Sequence, residues 1–470
     1  MRMNILEKLS TIDIIVIIVY YFGMVLVGVR AGKRVKKSSD FTNAGQSLGW
    51  KTVAGSTIAT CMGANMVMGK YDLIFESGLS GLTVSLFWWG GWIFLLIMAK
   101  RLRMSRATSI PSYLEEKYNG TTRKFCSICV MVAMISSCAA QFLTIGTILE
   151  TFEICDRRTG TWIGAAVIVV FTIISGLWGV AMTDTIQSVL LVIAFGIIFP
   201  IVVFRVAGGW SAVIEFNDPE RLDMFRGIAP VTIIGWAVYY TLSTGADPTY
   251  AQRIFSAKST KDAVVGQGVA WLVTLLICGF ISAVPGLAIG KIFPEITMGS
   301  QFTPMFIVEY LPAVVRGLML AALLGLMLTS GDSYLLLLSS TIMDDVIIPV
   351  KSNIEEKKKI FFTRLICVGT AIIITAMALY VNSIYQLFKT GGGAYGAGVF
   401  IPVFLGCFWK KARAKAINIG MIAGFLISFC FDMFLKIPLG LNLDGCIIGA
   451  AVCLLICVGG SLMRDGTPAG

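Results

Sequence analysis

Long apolar runs alternate with short polar segments along nearly the whole chain. A helix needs about 20 mostly apolar residues to cross roughly 30 Å of hydrocarbon, and lipid offers no partner to an unpaired backbone group. The pattern therefore predicts an all-α integral membrane protein with about thirteen transmembrane helices. The predicted spans are residues 12–29, 52–69, 78–99, 122–149, 160–181, 184–205, 229–246, 262–289, 313–343, 361–381, 384–408, 413–435 and 442–462.

Composition supports the membrane interpretation. Apolar residues make up 56% of the chain and charged residues only 14%, whereas charged residues are about a quarter of a soluble protein. The formal net charge of +11 does not indicate nucleic-acid binding, because the basic residues fall in short groups between apolar runs and do not cluster on one face. The lipid bilayer is therefore an expected partner, and nucleic acid is not.

The distribution of positive charge predicts the orientation of the chain. An odd number of spans puts the termini on opposite sides, and the loops on one side hold most of the 38 Lys and Arg residues, among them the group Arg253 to Lys261. Positive charge is retained in the cytoplasm, so the N-terminus is expected outside and the short tail 463–470 inside. The compact loops favour a bacterial inner (plasma) membrane.

Three spans have compositions typical of interrupted helices. The second contains GSTIATCMGANMVMG (55–69), the seventh STGADP (243–248) and the eleventh TGGGAYGAG (390–398). Small residues allow close packing, and glycines permit an unwound stretch that offers carbonyls to an ion. Interruptions at matching places in two halves, spans 2–6 and 7–11, predict a transporter. For the second span, the alternative is a tightly packed interior helix without a ligand.

The ninth span carries polar groups at membrane depth. Helical geometry places three hydroxyls on one stripe and two polar residues on its flanks: Thr329, Ser333 and Ser340, then Ser330 and Asp332. Such oxygens, with carbonyls from a broken helix, suit a hard cation such as sodium. The alternative, strongest for Ser339 and Ser340, is that the hydroxyls bond carbonyls of their own helix. This alternative does not fit Asp332, because an ionised carboxylate inside a span costs roughly 2.5–3.5 kcal/mol.

Two other charged residues fall within or beside predicted spans, and each has two interpretations. Asp184 is either functional or, with Gln187 three residues later, the N-cap of the sixth span. Lys389 either extends to the membrane surface or offers an ammonium group to an anionic solute.

The sequence gives no indication of an enzyme. The chain has no histidine, and no nucleophile with a nearby base or pair of acids at metal spacing is evident. Of its twelve cysteines, only Cys126 and Cys129 have the C-x-x-C spacing, and no second such pair is near them in the sequence; plain helix packing is the preferred interpretation.

Four segments resemble the sodium:solute symporter family: FTNAGQSLGWKTVAGSTIATCMGA (41–64), GADPTYAQRIFSAKSTKDA (245–263), LTSGDSYLLLLSSTIMDDV (328–346) and FWKKARAKAINIG (408–420). The resemblance covers roughly residues 12–462. It implies a five-plus-five inverted repeat of the LeuT type, with an extra helix at 12–29, repeats at 52–205 and 229–408, and two further helices within 413–462. It also implies a sodium site, whose residues would be Ala59, Met62, Leu326, Thr329 and Ser330.

Some members of the sodium:solute symporter family have a second sodium site, and the resemblance extends to it. Asp184 in MTDTIQ matches its aspartate, and Asp332 and Ser333 match its later positions. A carboxylate at 332 departs from the usual hydroxyl or small residue, and either strengthens a second sodium site or binds a proton.

The resemblance also implies a solute pocket. Its residues would be Cys61, Asn65, Met66, Ser85, Trp88, Gln141, Tyr240, Ser243 and Lys389. This set is poorer in amides and acids than a sugar site, and Lys389 favours a solute with a carboxylate, such as an amino acid or another organic acid. The expected function is sodium-coupled import of a small organic solute by alternating access. The alternatives are a proton-coupled symporter of the same fold and a membrane solute sensor.

Overall fold

A computed structural model describes residues 8–63, 68–281, 283–351, 354–380, 384–435 and 444–463. These residues are predominantly helical and include no strand; Leu48 and Ala257 form an isolated bridge. The all-α prediction is therefore confirmed for the part of the chain that is described.

The helices of the first half include both long spans and short connecting helices. They are α1 (Thr11–Gly32), α2 (Ser38–Asn43), α3 (Trp50–Cys61), α4 (Lys70–Ser77), α5 (Ser80–Met104), α6 (Ile110–Lys117), α7 (Gly120–Thr151), α8 (Arg157–Ile174), α9 (Gly176–Val206) and α10 (Trp210–Phe216).

The second half has the same character. Its helices are α11 (Pro230–Gly245), α12 (Pro248–Ser256), α13 (Thr260–Ile292, with residue 282 not described), α14 (Phe302–Tyr310), α15 (Val315–Val350), α16 (Glu356–Ala378), α17 (Ile384–Phe408), α18 (Ala414–Leu435) and α19 (Gly445–Leu462).

Eleven of the described helices are long and apolar enough to cross a membrane. The second and seventh predicted spans are not among them, because they are interrupted. Helix α3 has 12 residues and α11 has 16, less than a full crossing requires. The interruptions predicted at these two places are confirmed, and the total of thirteen crossings stays a prediction.

The boundary between the fifth and sixth spans lies earlier in the chain than the sequence predicts. The break lies at Gly176, which has φ 55° and ψ −157°, a conformation that favours glycine. A side chain there would also collide with the ring of Phe41. Asp184 consequently lies inside α9, so its interpretation as an N-cap is wrong.

The predicted interruption at 390–398 is also wrong, because α17 is continuous from Ile384 to Phe408. The glycines permit close packing instead. A Cβ at Gly391 would lie 2.2 Å from Ser136 Oγ, and one at Gly392 would lie 2.8 Å from Tyr239 Oη. The helix therefore tolerates residues of low helix propensity because tertiary contacts stabilise it.

Helix α15 forms the centre of the molecule. Nearly all its residues between Gly317 and Thr341 are buried, and it packs against α1, α3, α7, α16 and the segment Arg157–Ile193. Helix α17 packs against α7, α11, α18 and α19, and α11 also packs against α5. This arrangement places the two interrupted helices, α3 and α11, beside the central helix or its neighbours.

Candidate functional site

The end of α3 meets the middle of α15. The last carbonyls of a helix have no intrahelical donor, and α3 ends at Cys61 because Met62 leaves helical geometry. Thr329 Oγ1 donates to Ala59 O at 3.0 Å, and Ser330 Oγ donates to Thr60 O at 3.0 Å. Both hydroxyls thus bind the carbonyls of the interrupted helix.

The five predicted sodium-binding residues lie in this region. Besides their contacts with α3, the hydroxyls of Thr329 and Ser330 each lie 3.2 Å from Leu326 O. Met62, the residue after the helix end, is fully buried. A hydroxyl has one hydrogen and two lone pairs. If Thr329 and Ser330 donate that hydrogen to Leu326 O and not to α3, their lone pairs can face α3. The geometry can therefore present carbonyl and hydroxyl oxygens to a cation without a net charge on the ligands.

The region proposed for a second cation contains a residue that the sequence analysis missed. Arg253 on α12 is fully buried, although the sequence analysis counted it as part of a basic inner loop. Its guanidinium donates to three hydroxyls: Ser56 Oγ at 2.8 Å, Thr60 Oγ1 at 2.6 Å and Ser333 Oγ at 2.7 Å. It also donates to Thr249 O at 2.9 Å.

Arg253 brings two of the three predicted second-site residues together. Asp184 Oδ2 lies 3.4 Å from the guanidinium and accepts a hydrogen bond from Ser56 Oγ at 2.7 Å. Asp332 Oδ1 lies 3.4 Å from Ser333 Oγ, but Asp332 also faces a narrow crevice lined mainly by apolar residues of α1, α8 and α9. The positively charged guanidinium of Arg253 thus lies between Asp184 and Ser333. Binding of a metal cation there stays a prediction.

A cavity of about 140 Å³ lies beside the sodium-binding region. Six of the predicted solute-site residues line it: Cys61, Trp88, Gln141, Tyr240, Ser243 and Lys389. Asn65 and Met66 lie outside the described residues, as does the side chain of Ser85. The cavity is close in volume to an engineered apolar cavity that binds benzene, so it suits a solute of about that size.

Lys389 lies at the side of the cavity and has a carboxylate partner. Its Nζ donates to both oxygens of Asp444, at 2.9 and 2.8 Å, and lies 4.5 Å from the ring centroid of Trp236. The Lys389 side chain is only 15% exposed, so it does not extend to the membrane surface as one interpretation proposed. Asp444, the N-cap of α19, lies 55 residues from Lys389, and no local pattern in the sequence connects the two.

The interruption between α11 and α12 supplies a second charged group to the cavity. Asp247 caps α12, because its Oδ1 accepts hydrogen bonds from Thr249 N at 2.8 Å and Tyr250 N at 3.2 Å. It is partly exposed and lines the cavity. Tyr395 Oη donates to Ala246 O at 2.7 Å and fixes the same turn from α17. The motif STGADP indicates both the break and this carboxylate.

No cluster of three or more metal-ligating His, Cys, Asp or Glu side chains occurs among the described residues. Cys126 and Cys129 are both buried and not disulfide-bonded, which agrees with a packing role.

The chain is similar to known sodium-coupled transporters over most of its length. The profile of the sodium:solute symporter family matches residues 41–424. The sodium/proline symporter of Escherichia coli is 25% identical over 94% of this chain and 92% of its own length. The high-affinity proline transporter of Bacillus subtilis is 26% identical, with 85% and 88% covered. A solved structure of a Na⁺-coupled sialic acid symporter in a substrate-bound outward-open state superimposes with a TM-score of 0.81 at 21% identity, covering 96% of this chain and 97% of that one.

Proposed function

Because the chain belongs to the sodium:solute symporter family, we propose that it couples Na⁺ entry to import of a small solute that carries a carboxylate. Sodium is the coupling ion of this family of transporters, which are not enzymes. The observation that best supports our site is the contact of Thr329 and Ser330 with the carbonyls of Ala59 and Thr60.

Sodium would act by joining two helices. With the ligands Ala59, Met62, Leu326, Thr329 and Ser330, a bound ion would hold the end of α3 against α15. Cys61, which follows these carbonyls on α3, lines the solute cavity, so the ion would also shape the place where solute binds. Sodium and solute would then stabilise the same outward-facing state, which is the basis of coupling.

The direction of transport follows from the ion gradient. The membrane potential contributes about 2.3 kcal/mol for each positive charge that moves inward across 100 mV. This free energy drives the loaded protein towards an inward-facing state. Release of Na⁺ into a low-sodium cytoplasm would separate α3 from α15 and free the solute. We place the N-terminus outside and the protein in the plasma membrane, consistent with the positive-inside rule.

Lys389 is the proposed partner of the solute carboxylate. The solute carboxylate would approach Lys389 beside Asp444, from the side of the cavity that Lys389 lines. The names of two curated relatives include proline, a solute with a carboxylate, and the cavity volume suits a molecule of that size. Replacement of Lys389 by Ala should therefore abolish uptake of a carboxylate solute while Na⁺ binding stays measurable. Lys51→Ala, which removes an exposed lysine, is the control.

Uptake into proteoliposomes tests the function. Purified protein would be given Na⁺ and proton gradients separately, with radiolabelled amino acids, other small organic acids and sugars. We expect accumulation of a carboxylate solute only with an inward Na⁺ gradient, enhanced by an inside-negative potential. Accumulation driven by a proton gradient without Na⁺, or accumulation of sugars alone, would contradict the proposal.

A further inference from the structure

We infer that Asp247 binds a positively charged nitrogen of the solute, so that the solute is a zwitterion or an amine and not a simple acid. The inference rests on the proposed function and concerns the same cavity. Asp247 lies in the gap between α11 and α12, where the start of α12 fixes the carboxylate and the residue is partly exposed at the cavity.

The hydrogen bonds of Asp247 leave one oxygen available. Thr249 and Tyr250 donate to Oδ1, and no described residue donates to Oδ2. The capping bonds fix the orientation of the carboxylate, so binding a ligand would require little further ordering. Asp247 is therefore a pre-organised acceptor.

The charge balance of the cavity favours a cation. Asp247 and Lys389 are the charged residues among the described ones that line it. Asp444 already neutralises Lys389 through two contacts of 2.9 and 2.8 Å. The arginine nearest in sequence to Asp247, Arg253, attracts it electrostatically but forms its ion pair with Asp184, at 3.4 Å. The region therefore retains a negative charge that a cationic nitrogen would offset.

The remaining lining residues suit the same ligand. Gln141 Oε1 is buried and accepts no hydrogen bond from the described residues, so it offers a second acceptor. Aromatic faces attract ammonium groups, and aromatic side chains surround the cavity: Trp88, Trp236, Tyr239, Tyr240, Tyr250, Tyr334 and Tyr395. A carboxylate, an amide oxygen and aromatic rings together indicate an ammonium-binding site.

Three probes of nearly the same shape separate these charges. L-proline carries both groups, pyrrolidine only the cationic nitrogen and cyclopentanecarboxylate only the carboxylate. Their binding to the purified full-length protein would be measured by titration calorimetry in saturating Na⁺. We expect wild-type protein to bind L-proline at least tenfold more tightly than cyclopentanecarboxylate.

Asp247→Asn is the informative variant, because Asn also caps helices and removes only the charge. It should weaken binding of L-proline and pyrrolidine at least tenfold and leave binding of cyclopentanecarboxylate unchanged or stronger. Asp247→Ser also retains a capping oxygen and should have the same effect as Asp247→Asn on the binding of each probe. Asp156→Asn is a matched control: Asp156 caps α8 by accepting from Thr159 N at 3.0 Å and lies outside the cavity, so it should leave all three affinities unchanged.

Several outcomes would overturn the inference. These are unchanged L-proline binding by Asp247→Asn, an equal loss for L-proline and cyclopentanecarboxylate, or wild-type protein that binds none of the probes or only the acid. Failure of the proposed function would look different. If binding depended on Asp247 as expected but a Na⁺ gradient drove no uptake, the coupling proposal would fail and the role of Asp247 would stand.

Discussion

The hydroxyl groups of α15 fall into two classes with different partners. Ser339 and Ser340 donate to carbonyls of their own helix, Leu335 O and Leu336 O, each at 2.7 Å. This is the alternative that the sequence left open for these two serines, and it is confirmed. Thr329 and Ser330 lie near a carbonyl of their own helix, Leu326 O, but also contact the carbonyls of α3. Hydroxyls on one helix therefore serve packing near Ser340 and the proposed sodium site near Thr329.

The double variant Thr329→Ala, Ser330→Ala tests this distinction. It removes two oxygens of the proposed site, so the Na⁺ concentration for half-maximal uptake should rise severalfold. Ser339→Ala removes an equally buried hydroxyl from the same helix and should leave the sodium response nearly unchanged. Equal sodium responses for both proteins, measured as initial uptake rate against Na⁺ concentration, would count against the assignment.

The role of a single residue can be predicted from the sequence only where the pattern of its near neighbours in the chain indicates that role. The stripe of hydroxyls on α15 follows from helical periodicity, and the pairing of that stripe with α3 follows from the family resemblance. Arg253 could not be recognised in this way, because its position beside other basic residues is typical of a loop. Its burial depends on Ser56, Asp184 and Ser333, which are 197, 69 and 80 residues away.

At the scale of helices, Arg253 connects α12 to α3, α9 and α15. The pair with Asp184 is completely buried on both sides, and loss of one partner of a buried pair costs about 3–5 kcal/mol because the other charge stays uncompensated. The guanidinium also satisfies three hydroxyls, so its loss would affect the contact of α3 with α15 as well.

We expect Arg253→Gln to lower the thermal midpoint of the purified protein by several degrees. Addition of Asp184→Asn to that variant should restore part of the loss, because it removes the unpaired carboxylate. Asp184→Asn alone should be less harmful than Arg253→Gln. Strictly additive effects, measured by thermal unfolding of all four proteins in one detergent, would mean that the two side chains are not coupled.

Helix ends were harder to predict than helices. Most predicted spans agree with observed helices to within a few residues, because length and hydropathy define a membrane crossing. The sequence does not predict the break at Gly176, because apolar residues continue through it, while Asp184 with Gln187 indicates a helix N-cap and hence a later turn. The glycines at 391–393 suggested a break that does not exist, because contacts of α17 with α7 and α11 favour small residues there.

At the scale of the whole molecule, the prediction of membrane orientation depends on the entire chain and not on any single segment. It combines an odd number of crossings with the positive-inside rule, and the burial of Arg253 removes one basic residue from the inner loops without changing the asymmetry. Green fluorescent protein fused to the C-terminus should fluoresce, whereas alkaline phosphatase fused at the same place should be inactive. An active phosphatase fusion would contradict the orientation.

The central claim is that Na⁺ binds between α3 and α15. Equilibrium binding of ²²Na⁺ to the purified protein, with unlabelled Na⁺ or K⁺ as competitor, tests it most directly. We predict saturable binding that Na⁺ displaces and equal K⁺ does not, with severalfold weaker binding in the Thr329→Ala, Ser330→Ala protein but not in Ser339→Ala. Binding of ²²Na⁺ by the double variant with wild-type affinity, or equal displacement by K⁺, would contradict the account.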